Sequence, residues 1–310
     1  MKILITGIHG FVGSNMVAAW RNEHEIYGLD IVAPEKEGVL KTYSWEALDR
    51  GELPDVDAIV HLAEKAHDTK NQEDADVYFK VNTGLTQKIY DYFRHSSAQK
   101  FVFFSTVKAA ADSVQGVLTE DVVPAPVGPY GESKIKAEEY IRANPAAEDK
   151  IVYILRSCMI HGPGNKGNLN LLYSMVRKGL PWPLGAFDNK RSFSSIDNVA
   201  YVVNGLLKGE TEGGVYHLAD DEALSTNELI ELICASLGKK VRVWRLPKGM
   251  MRCCARVGGA LHLPLDSERL RKLTEDYCVS NAKVKRALGI ERMPVSARDG
   301  LMKTLNSFKS

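Results

Sequence analysis

An α/β fold is what the sequence predicts, with a doubly wound parallel sheet and a smaller, mostly helical lobe beside it. Three observations carry the expectation. Short β-branched runs alternate with stretches whose apolar residues recur at helical spacing, the pattern of a parallel sheet covered on both faces. A glycine-rich turn, TGIHGFVG, stands between the first such run and the first helical stretch. From His161 to Lys190 the composition shifts to Gly, Pro and Asn, and roughly the last ninety residues read as mostly helical.

The first strand is expected at Lys2–Thr6, with Gly7, Gly10 and Gly13 directly after it and a helix over Gly13–Arg21. A backbone without Cβ lets such a turn tighten, lets a pyrophosphate approach and lets the helix pack close to the sheet, while the helix N-terminus offers N–H groups to phosphate. His9, Phe11 and Val12 complete this candidate dinucleotide-binding turn. The second strand, Glu25–Asp30, ends in an acid seventeen residues after Gly13, where a carboxylate would hold both hydroxyls of an adenosine ribose. The plainer reading is a strand-end aspartate capping a turn. An acid there repels a 2′-phosphate, so NAD is expected rather than NADP. Further strands are expected at Ala58–Ala63, Lys100–Ser105, Lys150–Arg156 and Val215–Leu218, and further helices at Glu73–His95 and Tyr130–Arg142. Residues 1–160, with a return at about 191–220, would form a dinucleotide-binding Rossmann domain; residues 161–190 and 221–310 would form the substrate lobe.

The 40 basic and 39 acidic side chains leave a formal charge of +1, which argues against a nucleic-acid partner. Five cysteines, an odd number without CxxC spacing, read as reduced thiols, and the eight histidines show no metal-binding grouping, so no metal is expected. The opening MKILITG reads as a strand rather than a signal peptide, and no apolar run reaches the length of a membrane span, so a cytoplasmic location is expected. The apolar stretch Gly249–Leu265 is interrupted by Arg252, Arg256 and Pro264. It is read as a core helix packing lobe against lobe, the alternative being an interfacial membrane anchor.

The stretch VGPYGESKIKAEEY sets Tyr130 and Lys134 one helical turn apart, so both can project from one face. A phenol is a poor base at neutral pH, and a neighbouring ammonium favours its anion. The bland alternative is a surface turn with Tyr130 packed on Pro129 and Lys134 solvated. The YxxxK spacing together with GxxGxxG resembles the extended short-chain dehydrogenase/reductase family. HLAE (His61–Glu64), FKVNTG with Asn82, FVFFST ending at Thr106, RSCMIHGPG from Arg156 and RSFSSIDNVA from Arg191 extend the resemblance over nearly the whole chain. STVKAAAD, GPGNKGN and YCVSNAKVKRALGI look most like bacterial nucleotide-sugar 4-epimerases and related 4-keto-sugar reductases.

The resemblance implies roles. Leu62 and Ala63 would line the cofactor, with the His61 ring structural, and Asn82 would brace the central sheet. Lys134 would hydrogen-bond the nicotinamide ribose. Tyr130 would exchange a proton with the sugar O4, and Thr106 would hold that hydroxyl. Arg191 would pair with the diphosphate, or else with Asp188 or Asp197. Asn168 and Lys166 would reach substrate or lie in a surface loop; Lys108 would meet substrate or stay solvated. His67 is weighed as a sugar contact against a loop histidine with no special role. The helices Glu73–His95 and Tyr130–Arg142 would pair across a homodimer or simply cover the sheet. Thr106-Val107-Lys108 lacks the acidic pair that family dehydratases carry, so dehydration is not expected, and Met159 stands where many epimerases place a sugar-binding asparagine. The leading expectation is an NAD-dependent 4-epimerase of UDP-hexose or UDP-N-acetylhexosamine acting through a 4-keto sugar. The alternatives are a 4-keto-6-deoxy-sugar reductase and a non-catalytic dinucleotide-binding regulator.

Overall fold

The computed structural model describes residues 1–65, 75–260 and 265–309. The glycine turn separates β1 (Lys2–Thr6) from α1 (Phe11–Trp20), and β2 (Glu25–Leu29), β3 (Lys41–Tyr43), α2 (Trp45–Asp49) and β4 (Ala58–His61) follow. The next helix is α3 (Ala75–Tyr78), a π-helical turn (Phe79–Gly84) and α4 (Leu85–His95) in continuous succession. Then come β5 (Lys100–Thr106), a 3₁₀ turn at Val107–Ala109, β6 (Val117–Leu118), α5 (Pro129–Ala143), β7 (Ile151–Ser157) and β8 (Met159–His161). The chain continues through α6 (Asn168–Arg177), β9 (Phe193–Ser195), α7 (Ile196–Lys208) and β10 (Gly214–Leu218). It ends with α8 (Thr226–Ser236), α9 (Lys248–Ala260), α10 (Ser267–Thr274), β11 (Cys278–Val279), α11 (Ala282–Leu288) and α12 (Ala297–Ser307).

Seven strands form one parallel sheet in the order β10-β7-β5-β4-β1-β2-β3. The order reverses between β1 and β4, where strand ends diverge and leave the crevice in which open α/β sheets bind ligands. The buried strands are apolar on both faces because helices cover both. One core sets Ile3, Ile5, Val60 and Val102 against α1 and α7; the other sets Leu4, Ile59, Phe101 and Phe103 against α4 and α5. The apolar faces of α4 and α5 therefore cover the sheet, and α5 turns Glu132, Lys136 and Glu139 outward.

Several details differ from the sequence reading. β3, with only three half-exposed or exposed residues at the sheet edge, is too short for periodicity to reveal. β2 and β4 end at Leu29 and His61, before Asp30 and Ala63. The π turn interrupts the single helix expected over Glu73–His95, of which the first residues, like His67, lie outside the described ones. The return near Ser194 pairs β9 with β8 in a separate two-stranded sheet, and only β10 rejoins the main one. The second lobe has its own core, drawn from Leu169, Tyr173, Trp182 and Phe187 in the first piece and Leu229, Ile233, Leu270, Leu301 and Leu305 in the last. The helix expected over Gly249–Leu265 to pack lobe against lobe instead buries Met251 and Ala255 in this second core, along with Gly258, and exposes most of the rest of its surface; residues 261–264 of the stretch lie outside the described ones.

Candidate active site

At the crevice the chain leaves β1 through Gly7, whose φ of +68° favours glycine. A Cβ there would lie 2.9 Å from the backbone of Ala63, and one on Gly13 would lie 2.6 Å from the Gly7 carbonyl. Both approaches require bare backbone, so the turn stays flush with the end of β4. Asp30 fixes it from the other side: Oδ2 accepts the His9 N–H at 2.9 Å and Oδ1 accepts the Ile31 N–H at 2.8 Å. Asp30 remains partly exposed, with carboxylate lone pairs to spare. Helix α1 begins at Phe11 and Val12 without a side-chain cap, and His9 Nε2 is buried without a partner among the described residues. Thr6 Oγ accepts the N–H groups of Leu62 and Ala63, and the His61 ring lies between the Thr6 and Thr86 hydroxyls. Burial pushes the His61 imidazole down to about 3, with the Lys134 charge adding to the effect, so its ring is neutral and structural in this setting.

Helix α5 brings Tyr130 and Lys134 to the same edge. Pro129 at its first turn starts the helix, and Gly131 lets it press on the 3₁₀ turn, since a Cβ would lie 2.7 Å from the Lys108 carbonyl. Thr106 hydrogen-bonds the Tyr130 hydroxyl, and the Tyr78 ring meets the Tyr130 ring edge-on at 6.3 Å. Lys134, only 2% exposed, donates to the Phe104 carbonyl at 2.6 Å and lies over the Phe103 ring. Its other partner is Glu64, whose Oε2 stands 2.8 Å from Nζ. Lys134 is therefore neither solvated nor merely helical surface. Burial, and then the Glu64 charge, hold the Tyr130 phenol well above its ordinary range.

The sequence reading assigns Glu64 no chemistry; the available signal was an acid just past an apolar strand end beside the glycine turn. Asn82 locks this corner. Its side-chain oxygen accepts the Lys65 N–H at 2.7 Å, and its amide donates to the Lys65 carbonyl and to Ser133 Oγ. The π turn that carries Asn82 supplies this aim, a common use of such bulges at functional sites.

The 3₁₀ turn that follows Thr106 leads into a charged cluster. Lys108 donates to the Asp112 carbonyl and carboxylate, at 2.6 and 3.1 Å, and lies over the Tyr277 ring. Burial lowers its ammonium, with Asp112 opposing the shift. Arg191 donates to the Lys272 carbonyl at the end of α10, and pairs with neither Asp188 nor Asp197; the latter binds Lys303. Burial likewise holds its guanidinium below the usual range. Arg271 reaches Asp112 from α10 at 3.0 Å. Asn168, by contrast, stands exposed at the start of α6, with no hydrogen bond to either cluster among the described residues, and Lys166 is exposed beside it.

Residues 3–219 match the model of the NAD dependent epimerase/dehydratase family. The chain is 30% identical to a UDP-glucose 4-epimerase of Vibrio cholerae, covering 99% of this chain and 95% of that protein. The chain belongs to the NAD dependent epimerase/dehydratase family. It is also 27% identical to the N-acetyl-alpha-D-glucosaminyl-diphospho-ditrans,octacis-undecaprenol 4-epimerase of Escherichia coli O157:H7, over 92% of this chain and 85% of that one. Among solved structures, UDP-N-acetylglucosamine 4-epimerase from Bacillus cereus superposes over all of both chains with a TM-score of 0.79 at 22% identity, a likeness of fold. As a member of this family the protein is an NAD-dependent enzyme. The cradle fits that cofactor: bare backbone at Gly7 and Gly13, an uncapped helix start and an acid at Asp30 are what a dinucleotide requires.

Proposed function

We propose that the protein is a 4-epimerase of a diphosphate-linked hexose, a UDP-hexose or UDP-N-acetylhexosamine, acting through a transient 4-keto sugar. The observation that carries this is the Thr106–Tyr130–Lys134 group beside the glycine cradle, with the half-buried Tyr130 hydrogen-bonded to Thr106 and Lys134 buried next to it. Likeness to two 4-epimerases over most of their length supports the choice of reaction.

Bound NAD supplies the hydride acceptor for C4 and the donor that restores it. Asp30 would hold the adenosine ribose, with Gly7, His9, Gly10, Phe11, Val12 and Gly13 along the pyrophosphate and Leu62 and Ala63 beneath the dinucleotide. Thr106 would accept or donate at the sugar O4 and so orient it toward the Tyr130 oxygen. Tyr130 would take the O4 proton as the ketone forms and return it after the sugar turns over. Lys134 would leave Glu64 in part to bind the nicotinamide ribose, keeping its ammonium near the phenolate. Lys108 and Arg191 would face the diphosphate, where a guanidinium fork and an ammonium suit the phosphate oxygens. Asn168, exposed at the start of α6, would meet the substrate only from outside these two clusters.

The test is to denature purified protein, assay the released dinucleotide, and offer UDP-glucose, UDP-galactose, their N-acetyl forms and a polyprenyl-diphospho-N-acetylhexosamine. Bound NAD and interconverted C4 epimers are expected from one of these pairs. Protein that only consumes NADH with a 4-keto sugar would be a reductase instead. Tyr130→Phe should lower kcat on the order of 10²–10⁴-fold with NAD content unchanged; full turnover by that variant would remove Tyr130 from the reaction.

A further inference from the structure

Helix α9 and the segment before it carry a charge pattern that the active site does not use. Between Glu231 and Asp266 the sequence holds Lys239, Lys240, Arg242, Arg245, Lys248, Arg252 and Arg256 and no acid at all, although the whole chain is almost neutral. All seven side chains are exposed, and none makes an ion pair among the described residues. Cations elsewhere on the surface commonly have acidic partners, as Arg21 has Glu37, Lys88 has Asp49 and Lys303 has Asp197.

Apolar groups accompany this charge. On α9, Met251, Ala255 and Gly258 form the buried stripe at helical spacing. Met250, Cys253, Cys254 and Val257 repeat the same spacing on the exposed side, and Arg252 and Arg256 form a third stripe. Met250 is 44% exposed and Val257 51%. Just upstream, Trp244 is 56% exposed and Val241 is exposed with it. Their strand-like segment is held by backbone bonds from Trp182 N–H to the Arg242 carbonyl and from Trp244 N–H to the Trp182 carbonyl, so the indole is presented from a fixed edge.

We propose that this surface docks the protein on an anionic lipid bilayer, with Trp244, Met250 and Val257 entering the headgroup region and Lys240, Arg242, Arg245, Arg252 and Arg256 meeting lipid phosphates, while Lys239 stays on the Val176 and Arg177 carbonyls and Lys248 over the Phe187 ring. An interfacial helix needs this combination of a compact apolar stripe and flanking Lys and Arg. A second copy of the same face would be repelled by its charge, and a soluble polyanion would leave the apolar stripe in water. The surface belongs to the wall of the substrate cleft: α10, packed on α9, supplies the Lys272 carbonyl that holds Arg191. Docking would thus set the cleft beside the membrane, whichever diphosphate-linked sugar it takes.

The test uses the full-length protein with vesicles of neutral phosphatidylcholine, vesicles containing about a third phosphatidylglycerol, and heparin as a soluble polyanion. Trp20, Trp45 and Trp182 are buried, so a blue shift of indole emission reports on Trp244. Sedimentation with anionic vesicles only, a blue shift, and loss of binding as salt rises are expected. Arg252→Gln/Arg256→Gln should weaken vesicle affinity about thirtyfold, because each neutralised side chain forgoes its attraction to the anionic headgroups. Trp244→Ser should abolish the shift, and both variants should keep wild-type NAD content. No binding to anionic vesicles, or equal binding to heparin with no shift on vesicles, would overturn the proposal while leaving the epimerase reading untouched.

Discussion

Glu64 holds Lys134 at 2.8 Å while its charge opposes ionisation of Tyr130. Among the described residues, the titratable groups facing this corner are Tyr78 against Tyr130, and Glu64 and His61 against Lys134. An anionic neighbour raises a phenol's pKa, so its removal should let the phenolate form at lower pH. Glu64→Gln is therefore expected to move the acidic limb of the kcat/KM–pH profile to lower pH; an unmoved limb would leave Glu64 only a mechanical hold on Lys134. Spectrophotometric titration of the dinucleotide-free protein against Tyr130→Phe should show the same displacement without turnover. His61 gives a stability prediction of definite sign. Its folded value near 3 lies below the unfolded value of about 6.5, so between these the unfolded chain binds more protons and stability falls as pH falls. The slope contributed is up to about 1.4 kcal/mol per pH unit, read by urea denaturation across that window, and His61→Asn should flatten it. That Tyr130, Lys134 and Thr106 lie together was legible, the first two from their one-turn spacing and the third from resemblance. Glu64 was not, because the partner of a buried cation is chosen by three-dimensional proximity.

At the scale of elements, α5 is fastened to the sheet by charge as well as apolar packing. Glu138 is fully buried, accepts Arg156 at 2.7 Å and Arg142 at 2.6 Å, and receives the Ser105 hydroxyl. Arg156 is itself buried on β7. Glu138→Ala should cost about 3–5 kcal/mol, because it strands a buried guanidinium. The double variant Glu138→Met/Arg156→Met should recover much of the loss, since an apolar pair of similar volume avoids that desolvation. Chemical denaturation of the variants measures both, and a double variant no better than the single would mean the pair itself, not the stranded charge, carries the stability. Six of the seven main-sheet strands were visible in the sequence because their burial imposes short apolar runs. β3 was missed for its length, and the π turn because its one-residue insertion hardly disturbs the apolar spacing that signals a helix.

The whole molecule joins a sheet whose carboxyl edge carries the glycine turn to a mostly helical part with a core of its own. The composition shift over 161–190 coincides with the first part of the second apolar core, whose remainder lies mostly beyond residue 220. The outward face of α9 was not legible: its residues are apolar enough to suggest a core, and only packing reveals that one stripe is buried and another open. Removing α12 should damage the lobe and not the cradle. Ala297, Leu301 and Leu305 complete its core, so a chain ending at residue 296 is expected to lose cooperative unfolding of the lobe and become prone to aggregation, read by calorimetry and light scattering.

The order of assembly of that lobe has a cost during synthesis. Leu169, Tyr173, Trp182, Leu184 and Phe187 leave the ribosome long before Leu229, Ile233 and Leu301, the side chains that shelter them. The intervening residues must first add β10 to the edge of the sheet. A nascent chain of this design therefore carries a greasy, half-built wall through much of its translation, and its yield in the cell should track chaperone supply more closely than the stability of the finished enzyme.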